Sequence, residues 1–170
     1  MAFIATAARL AGRGVARNLV HKLKYNTQRS AATPLAYFMS EALNDEPWAR
    51  LVTPLLVPVP LHKRRLRERG FNQSTLLAES LSKARGWPVV ELLVRTRATP
   101  TQTALDRSQR TRNLSGAFEV NPKHSPAIFA GRSVLLVDDV VTTGATVHEC
   151  ASVLLKAGAG DVYVVAATRA

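Results

Sequence analysis

One segment narrows the fold more than any other: Val134-Leu135-Leu136-Val137-Asp138-Asp139-Val140-Val141-Thr142-Thr143-Gly144-Ala145-Thr146. Ser133 to Val137 is an apolar, β-rich run after Gly131-Arg132, of the kind found in parallel strands covered on both faces. Thr146 to Ala157 has helical periodicity, with Val147, Val153, Leu154 and Ala157 apolar, and it is closed by Gly158 and Gly160. Val162 to Ala166 is a further apolar strand. Strand, turn, helix and strand within about 35 residues make a βαβ unit. A chain built on such a unit needs a parallel sheet with helices on it.

The rest of the chain alternates in the same way. Val15, Leu19, Val20 and Leu23 recur at helical spacing. Thr33-Pro34 reads as a cap with proline at the first helical position, before a face of Leu35, Phe38, Met39, Ala42 and Leu43. Leu55 to Val59 is a short strand, stopped by Pro60. A basic loop is expected from Leu61 to Phe71, then a helix from Gln73 to Arg85 capped by Asn72 and closed by Gly86. Val89 to Val94 reads as a strand, Arg95 to Ser115 as a long polar excursion, and Ala117 to Val120 as a short strand. The expected fold class is α/β, with a mostly parallel central sheet flanked by helices. With no repeat and no linker, residues 1–170 are expected to form a single domain, the basic segment of about 1–45 being helical and packed on the core.

The acidic pair and the turn after it carry the chemistry. In a parallel α/β sheet, ligands bind beyond the carboxyl ends of the strands. A turn of small residues lets backbone N–H groups converge on a phosphate, and the positive end of the helix dipole stabilises that anion. Thr142, Thr143 and Thr146 add hydroxyl donors, and Gly144 permits close approach. Paired carboxylates beside a phosphate must bind something else: the two hydroxyls of a ribose, or water on a bound Mg²⁺. The segment is neither a P-loop, since no Gly-Lys-Ser/Thr occurs, nor a Gly-x-Gly-x-x-Gly dinucleotide turn. A phosphorylatable receiver domain is excluded because only 31 residues follow Asp139. A purely structural protein gives no reason for the pair and the turn together.

Composition bears on partners. Lys and Arg number 23 against 12 Asp and Glu, a net charge of +11, which points to anionic partners. Leu61 to Arg112 holds 12 basic and 4 acidic residues, so most of the surplus lies in one third of the chain. The single cysteine, Cys150, excludes an intramolecular disulfide and a cysteine-based zinc cluster. No apolar run is long enough for a membrane helix. His21, His62, His124 and His148 have no identifiable catalytic partners in the sequence.

The segment Val134–Thr146 resembles the signature of type I phosphoribosyltransferases, which bind 5-phosphoribosyl-1-pyrophosphate (PRPP). Val57-Pro58-Val59-Pro60-Leu61 and Arg69-Gly70-Phe71-Asn72-Gln73 resemble the ComF branch, the competence-associated phosphoribosyltransferase-like proteins. Leu23-Lys24-Tyr25 and the block with Arg95, Gln102, Arg110, Asn113 and Phe118 are similar to that branch as well. The match runs from about Arg13 to Thr168. For that reason the acid-free N-terminus, whose composition imitates a mitochondrial transit peptide, is expected to be a folded helix. Many ComF proteins begin with a cysteine-rich zinc ribbon, which this sequence lacks, so no metal site of that kind carries over.

The resemblance implies roles. Asp138 and Asp139 would hold the ribose hydroxyls and, through water, Mg²⁺ carried by PRPP. Thr142, Thr143, Gly144, Ala145 and Thr146 would hold the 5′-phosphate. Arg69, Gly70 and Lys63 would hold pyrophosphate, with Arg69 joining the acidic pair as catalytic. Arg95, Arg97, Gln102, Arg110 and Asn113 would belong to a mobile loop over the substrate. The implied reaction displaces pyrophosphate from ribose C1 by a nitrogen nucleophile, with Mg²⁺ as cofactor and an unidentified acceptor, in a cytoplasmic protein linked to DNA uptake. The alternative is a catalytically weak PRPP-binding module that binds single-stranded DNA in natural transformation. No membrane insertion is expected, and nothing in the sequence opposes self-association.

Overall fold

A computed structural model describes residues 4–6, 13–25, 28–98 and 114–169. The elements are β1 (Ile4–Thr6), α1 (Arg13–Tyr25), α2 (Ala32–Ala42), β2 (Leu55–Pro58), α3 (Lys63–Arg69), α4 (Gln73–Arg85), β3 (Leu93–Arg95), β4 (Phe118–Val120), β5 (Val134–Val141), α5 (Ala145–Lys156) and β6 (Val162–Arg169). Four strands form a sheet in the order β1-β6-β5-β2, every neighbouring pair parallel. β3 and β4 form a separate antiparallel pair.

The apolar runs explain the layering. Side chains of successive strand residues alternate between faces, so a strand covered on both sides must be apolar at every position. Leu56, Leu135, Val137, Val165 and Ala167 pack with residues of α1, α2 and α4. Leu55, Val57, Val134, Leu136, Val164 and Ala166 pack on the other face with residues of α5 and the β3–β4 pair. Leu135 and Leu136 are both fully buried, on opposite faces. The edge of β2 is covered by the segment after α4: Leu56 N–H donates to the Pro88 carbonyl at 2.8 Å and Val90 N–H to the Leu56 carbonyl at 2.9 Å.

Several elements differ from their sequence expectations. β5 does not stop at Val137. It runs through the acidic pair to Val141, because β6 supplies partners to the end: Asp138 faces Ala166 and Val140 faces Thr168. The expected strand Val89–Val94 is divided. Val89 makes one parallel bridge to Leu56, and the chain then turns away to pair β3 with β4. α2 starts before Thr33-Pro34, since a 3-10 turn over Arg29–Ala31 runs directly into it. Pro34 then lies in the first turn, where its missing N–H would have had no intrahelical partner. On α1 the buried stripe is Ala16, Val20 and Leu23, with Val15 turned outward.

The expected basic loop contains the helix α3. His62, in extended conformation, caps it by accepting the Arg64 N–H on Nδ1 at 3.2 Å. Arg64 pairs with Glu68 one turn on at 2.9 Å, and Gly70, at φ +79°, ends the helix in the left-handed conformation. Asn72 caps α4 by accepting the Ser74 N–H at 3.1 Å, and its Nδ2 donates to the Val59 carbonyl at 3.0 Å. That last bond ties the start of α4 to the chain leaving β2.

The far end of α4 is clamped too. Arg85 Nε donates to Ser40 Oγ at 2.7 Å, and its Nη2 donates to the Ser40 carbonyl and to Asn44 Oδ1. The guanidinium also lies over the Trp87 ring, 5.2 Å from its centre. Arg85→Ala should therefore lower the unfolding free energy by about 1.5–3 kcal/mol, the range for losing a hydrogen bond to a charged group. Urea denaturation followed by tryptophan fluorescence measures this, and an unchanged midpoint would contradict the clamp.

Candidate active site

The site follows from topology. From β2 the chain leads through α3 and α4 to the Val89 bridge on one side of β2, whereas from β5 it leads through α5 to β6 on the other side. The connections thus diverge between the carboxyl ends of β2 and β5, and such a divergence opens a crevice in a parallel sheet. A cleft of about 210 Å³ lies there, lined by Val59, Pro60 and Leu61 after β2, Asp138, Asp139 and Val140 of β5, Gln73 and Ser74 of α4, and Thr146 of α5. Lys24, Arg65, Arg69 and Arg95 complete its wall.

Asp138 and Asp139 are 9% and 8% exposed, so each charge needs compensation. Asp138 Oδ1 accepts the Asp139 N–H at 2.9 Å and the Ser74 hydroxyl at 3.2 Å. Asp139 Oδ2 forms an ion pair with Lys24 Nζ at 2.8 Å. Burial, reinforced by the adjacent Asp139 charge, pushes the Asp138 carboxyl up to about 7; the hydrogen bonds and Lys24 pull the other way but do not win. Burial and the Arg65 charge lower the Arg95 pKa. Arg95 also lies over the Phe118 ring, 5.4 Å from its centre.

Sequence reading and structure meet at Asp138, Asp139, Arg69, Arg95 and Thr146, which share this cleft. Arg69 donates through Nη1 to Gln73 Oε1 at 2.7 Å. Lys63 instead lines an adjoining cavity of about 510 Å³, together with Phe71, Leu93 and Glu91. Pro60, Leu61 and Arg95 are common to both spaces. Gly70 is the left-handed end of α3. Thr142 is exposed, and Thr143, Gly144 and Ala145 are half-buried in the turn. Gly144, at φ +81°, is the N-cap of α5 and has no side chain with which to cap the helix. Arg97 donates to the Ser115 carbonyl at 3.0 Å. Gln102, Arg110 and Asn113 lie outside the described residues.

Among the polar lining residues, Lys24, Ser74 and Gln73 escaped the sequence reading of the site. Lys24 and Gln73 sit in the blocks Leu23-Lys24-Tyr25 and Arg69-Gly70-Phe71-Asn72-Gln73, so the signal was in view but unassigned to a role. Cys150 is buried with its pKa raised by burial, as for a packing residue.

The model of the phosphoribosyl transferase domain matches residues 70–169. The chain belongs to that family. Within it, similarity is to the ComF branch. The chain is 42% identical over 154 residues to the DNA utilization protein YhgH of Escherichia coli O157:H7, covering 86% of this chain and 63% of that protein. It is 34% identical over 155 residues to competence protein F of Haemophilus influenzae, covering 89% of this chain and 67% of that protein. It thus spans about 63% of the length of the YhgH relative. Among solved structures, glutamine PRPP amidotransferase from B. subtilis superposes with a TM-score of 0.52 at 16% identity, over 86% of this chain and 30% of that one. That likeness concerns the phosphoribosyltransferase fold: a parallel sheet between helices.

The raised Asp138 pKa has a stability consequence. An unfolded aspartate titrates near 3.9. Between about pH 4 and pH 7 the folded protein therefore holds a proton that the unfolded chain has lost, and stability falls as pH rises through that window. Asp138→Asn keeps an acceptor for Ser74 and removes the charge. Its melting temperature relative to the parent should rise from pH 5 to pH 8; a difference that stays flat or falls would contradict the assignment.

Proposed function

We propose that the cleft binds PRPP and that the chain transfers its phosphoribosyl group to a nitrogen nucleophile. The observation that supports this best is the meeting of a buried carboxylate pair and four cationic residues in one cleft at the divergence of β2 and β5. A sugar with a pyrophosphate on C1 needs both: acceptors for its hydroxyls and cations for its phosphates.

In this reading Asp138 and Asp139 bind the ribose 2′ and 3′ hydroxyls. Asp138, titrating near 7, can serve as donor or acceptor at neutral pH. Lys24 shares Asp139 with the sugar. The turn Thr142–Thr146 receives the 5′-phosphate at the start of α5, where Gly144 leaves room beside the first N–H groups of a twelve-residue helix. Arg69, with Arg65 and Gly70 close by in the chain, holds the pyrophosphate. In the reaction the C1–O bond to pyrophosphate breaks, a C1–N bond forms with inversion, and pyrophosphate departs. The chain's contribution is to position the sugar and to neutralise the charge that grows on the leaving group.

The donor set also fits Mg²⁺. Two adjacent carboxylates suit a hard cation that is otherwise coordinated by phosphate oxygens and water, whereas no cluster of three or more His, Cys, Asp or Glu exists among the described residues. Asp138 and Asp139 would hold the ion jointly with PRPP. When bound, it neutralises charge on the pyrophosphate.

Calorimetric titration of PRPP in the presence of Mg²⁺, followed by a pyrophosphate-release assay over a panel of nitrogen acceptors, tests the reading. Asp138→Asn combined with Asp139→Asn should weaken PRPP by about tenfold or more, given roughly 1.5–3 kcal/mol for each hydrogen bond to a charged group. Unchanged affinity in a folded variant overturns the ribose assignment.

A second reading concerns DNA, suggested by the names of the relatives and favoured by α3, whose Lys63, Arg64 and Arg67 are exposed. Here the chain holds single-stranded DNA through phosphate contacts. Affinity for an oligonucleotide should then fall steeply with salt, and Lys63→Ala with Arg67→Ala should reduce the slope of log affinity against log salt by about 1–2. Salt-independent binding removes this reading. No helix among the described residues is long and apolar enough to cross a membrane.

A further inference from the structure

Gln73 presents an unmet demand inside the cleft. The residue is 1% exposed. Its Oε1 accepts from Arg69 at 2.7 Å. Rotating the amide by half a turn would set two donors against each other, so this bond fixes which end faces Arg69. The other end, Nε2, is buried and has no hydrogen-bond partner among the described residues. A buried amide donor left unpaired is costly, and natural proteins rarely keep one without a reason. Gln73 is also the first residue of α4, fixed there by the Asn72 cap and by the bond from Asn72 to the Val59 carbonyl. The amide is therefore held at both its backbone and its oxygen.

The surroundings say what it would accept. Gln73 lines the same cleft as Arg69 and Arg65, while its neighbour Ser74 is already engaged with Asp138. A ligand in this cleft can bring the acceptor that Nε2 lacks, and beside two guanidinium groups the oxygens it brings are anionic. We propose that Gln73 is a ligand-binding residue whose Nε2 donates to a phosphate oxygen of the pyrophosphate group, and that Arg69 acts in part by orienting this amide. The proposal rests on the PRPP reading of the cleft and deepens it by assigning a side chain to the leaving group.

The test compares the parent protein with Gln73→Leu and Gln73→Glu. Leucine has nearly the same volume and no donor. Glutamate keeps an oxygen for Arg69 and presents a second oxygen where the donor was. Titration calorimetry uses two probes, PRPP with Mg²⁺ and ribose 5-phosphate, and thermal melting is recorded without ligand. Gln73→Leu should weaken PRPP on the order of ten- to a hundredfold, the loss of one hydrogen bond to a charged group. Ribose 5-phosphate, which lacks the pyrophosphate, should bind the variant as it binds the parent. Gln73→Glu should weaken PRPP further. Gln73→Leu also removes the oxygen that Arg69 donates to, so the ligand-free melt serves to show that the variant is folded, and Gln73→Glu, which keeps that oxygen, isolates the loss of the donor.

The outcomes separate cleanly. If the parent itself fails to bind PRPP, the functional reading falls and takes this proposal with it. If the parent binds and Gln73→Leu binds equally well, the proposal alone falls. It falls likewise if ribose 5-phosphate is weakened as much as PRPP, which would place the amide on the sugar. It falls as well if Gln73→Glu, which keeps the oxygen that Arg69 donates to, binds PRPP as tightly as the parent.

Discussion

Two adjacent carboxylates buried in one strand are the constraint around which this structure is arranged. A carboxylate removed from water costs several kcal/mol unless it is paired, hydrogen-bonded or protonated. All three remedies occur here, and each draws in a different part of the chain. Lys24 brings α1 to Asp139, Ser74 brings α4 to Asp138, and Asp138 shifts its titration toward neutrality. The helices on one face of the sheet are therefore bound to the acidic pair by charge as well as by apolar packing.

The same helices are fixed from elsewhere. Asn72 holds the first turn of α4 to the chain leaving β2, and Arg85 holds its last turn to Ser40 and Asn44. Gln73 and Ser74 consequently stand on a rigid rod anchored at both ends. Binding groups on such elements lose little conformational freedom when a ligand arrives, which favours affinity.

What the sequence disclosed and what it concealed divide along the range of the interactions. The β5–α5–β6 unit was legible because its signals are local: an apolar run, a turn of small residues and helical periodicity within about 35 residues. Asn72 and Gly86 as the ends of α4 were legible for the same reason. α3 was hidden because a seven-residue stretch with five basic residues and one leucine has no apolar stripe, and because its cap is a histidine, outside the commonest capping residues. The length of β5 was hidden because aspartate is depleted in strands, and only pairing with β6 carries the strand past the acidic pair. The ion pair of Lys24 with Asp139 joins residues 115 positions apart, a contact that no local pattern encodes. The orphaned amide of Gln73 emerges only from a census of donors and acceptors in three dimensions.

The cleft also bears on how the domain should be delimited. The family match opens at Gly70, yet Lys24, Val59, Pro60, Leu61, Arg65 and Arg69 all line the space around Asp138 and Asp139. A fragment excised at that boundary would keep the acidic pair and lose three of the four cations of the wall, among them the ammonium group that neutralises Asp139, together with the strand β2 that flanks β5. Such a fragment would expose bare sheet edge and carry uncompensated negative charge at its heart. The lining of the cleft reaches back to Lys24 of α1, so expression work, domain grafting or proteolytic mapping should count that helix as part of the pocket.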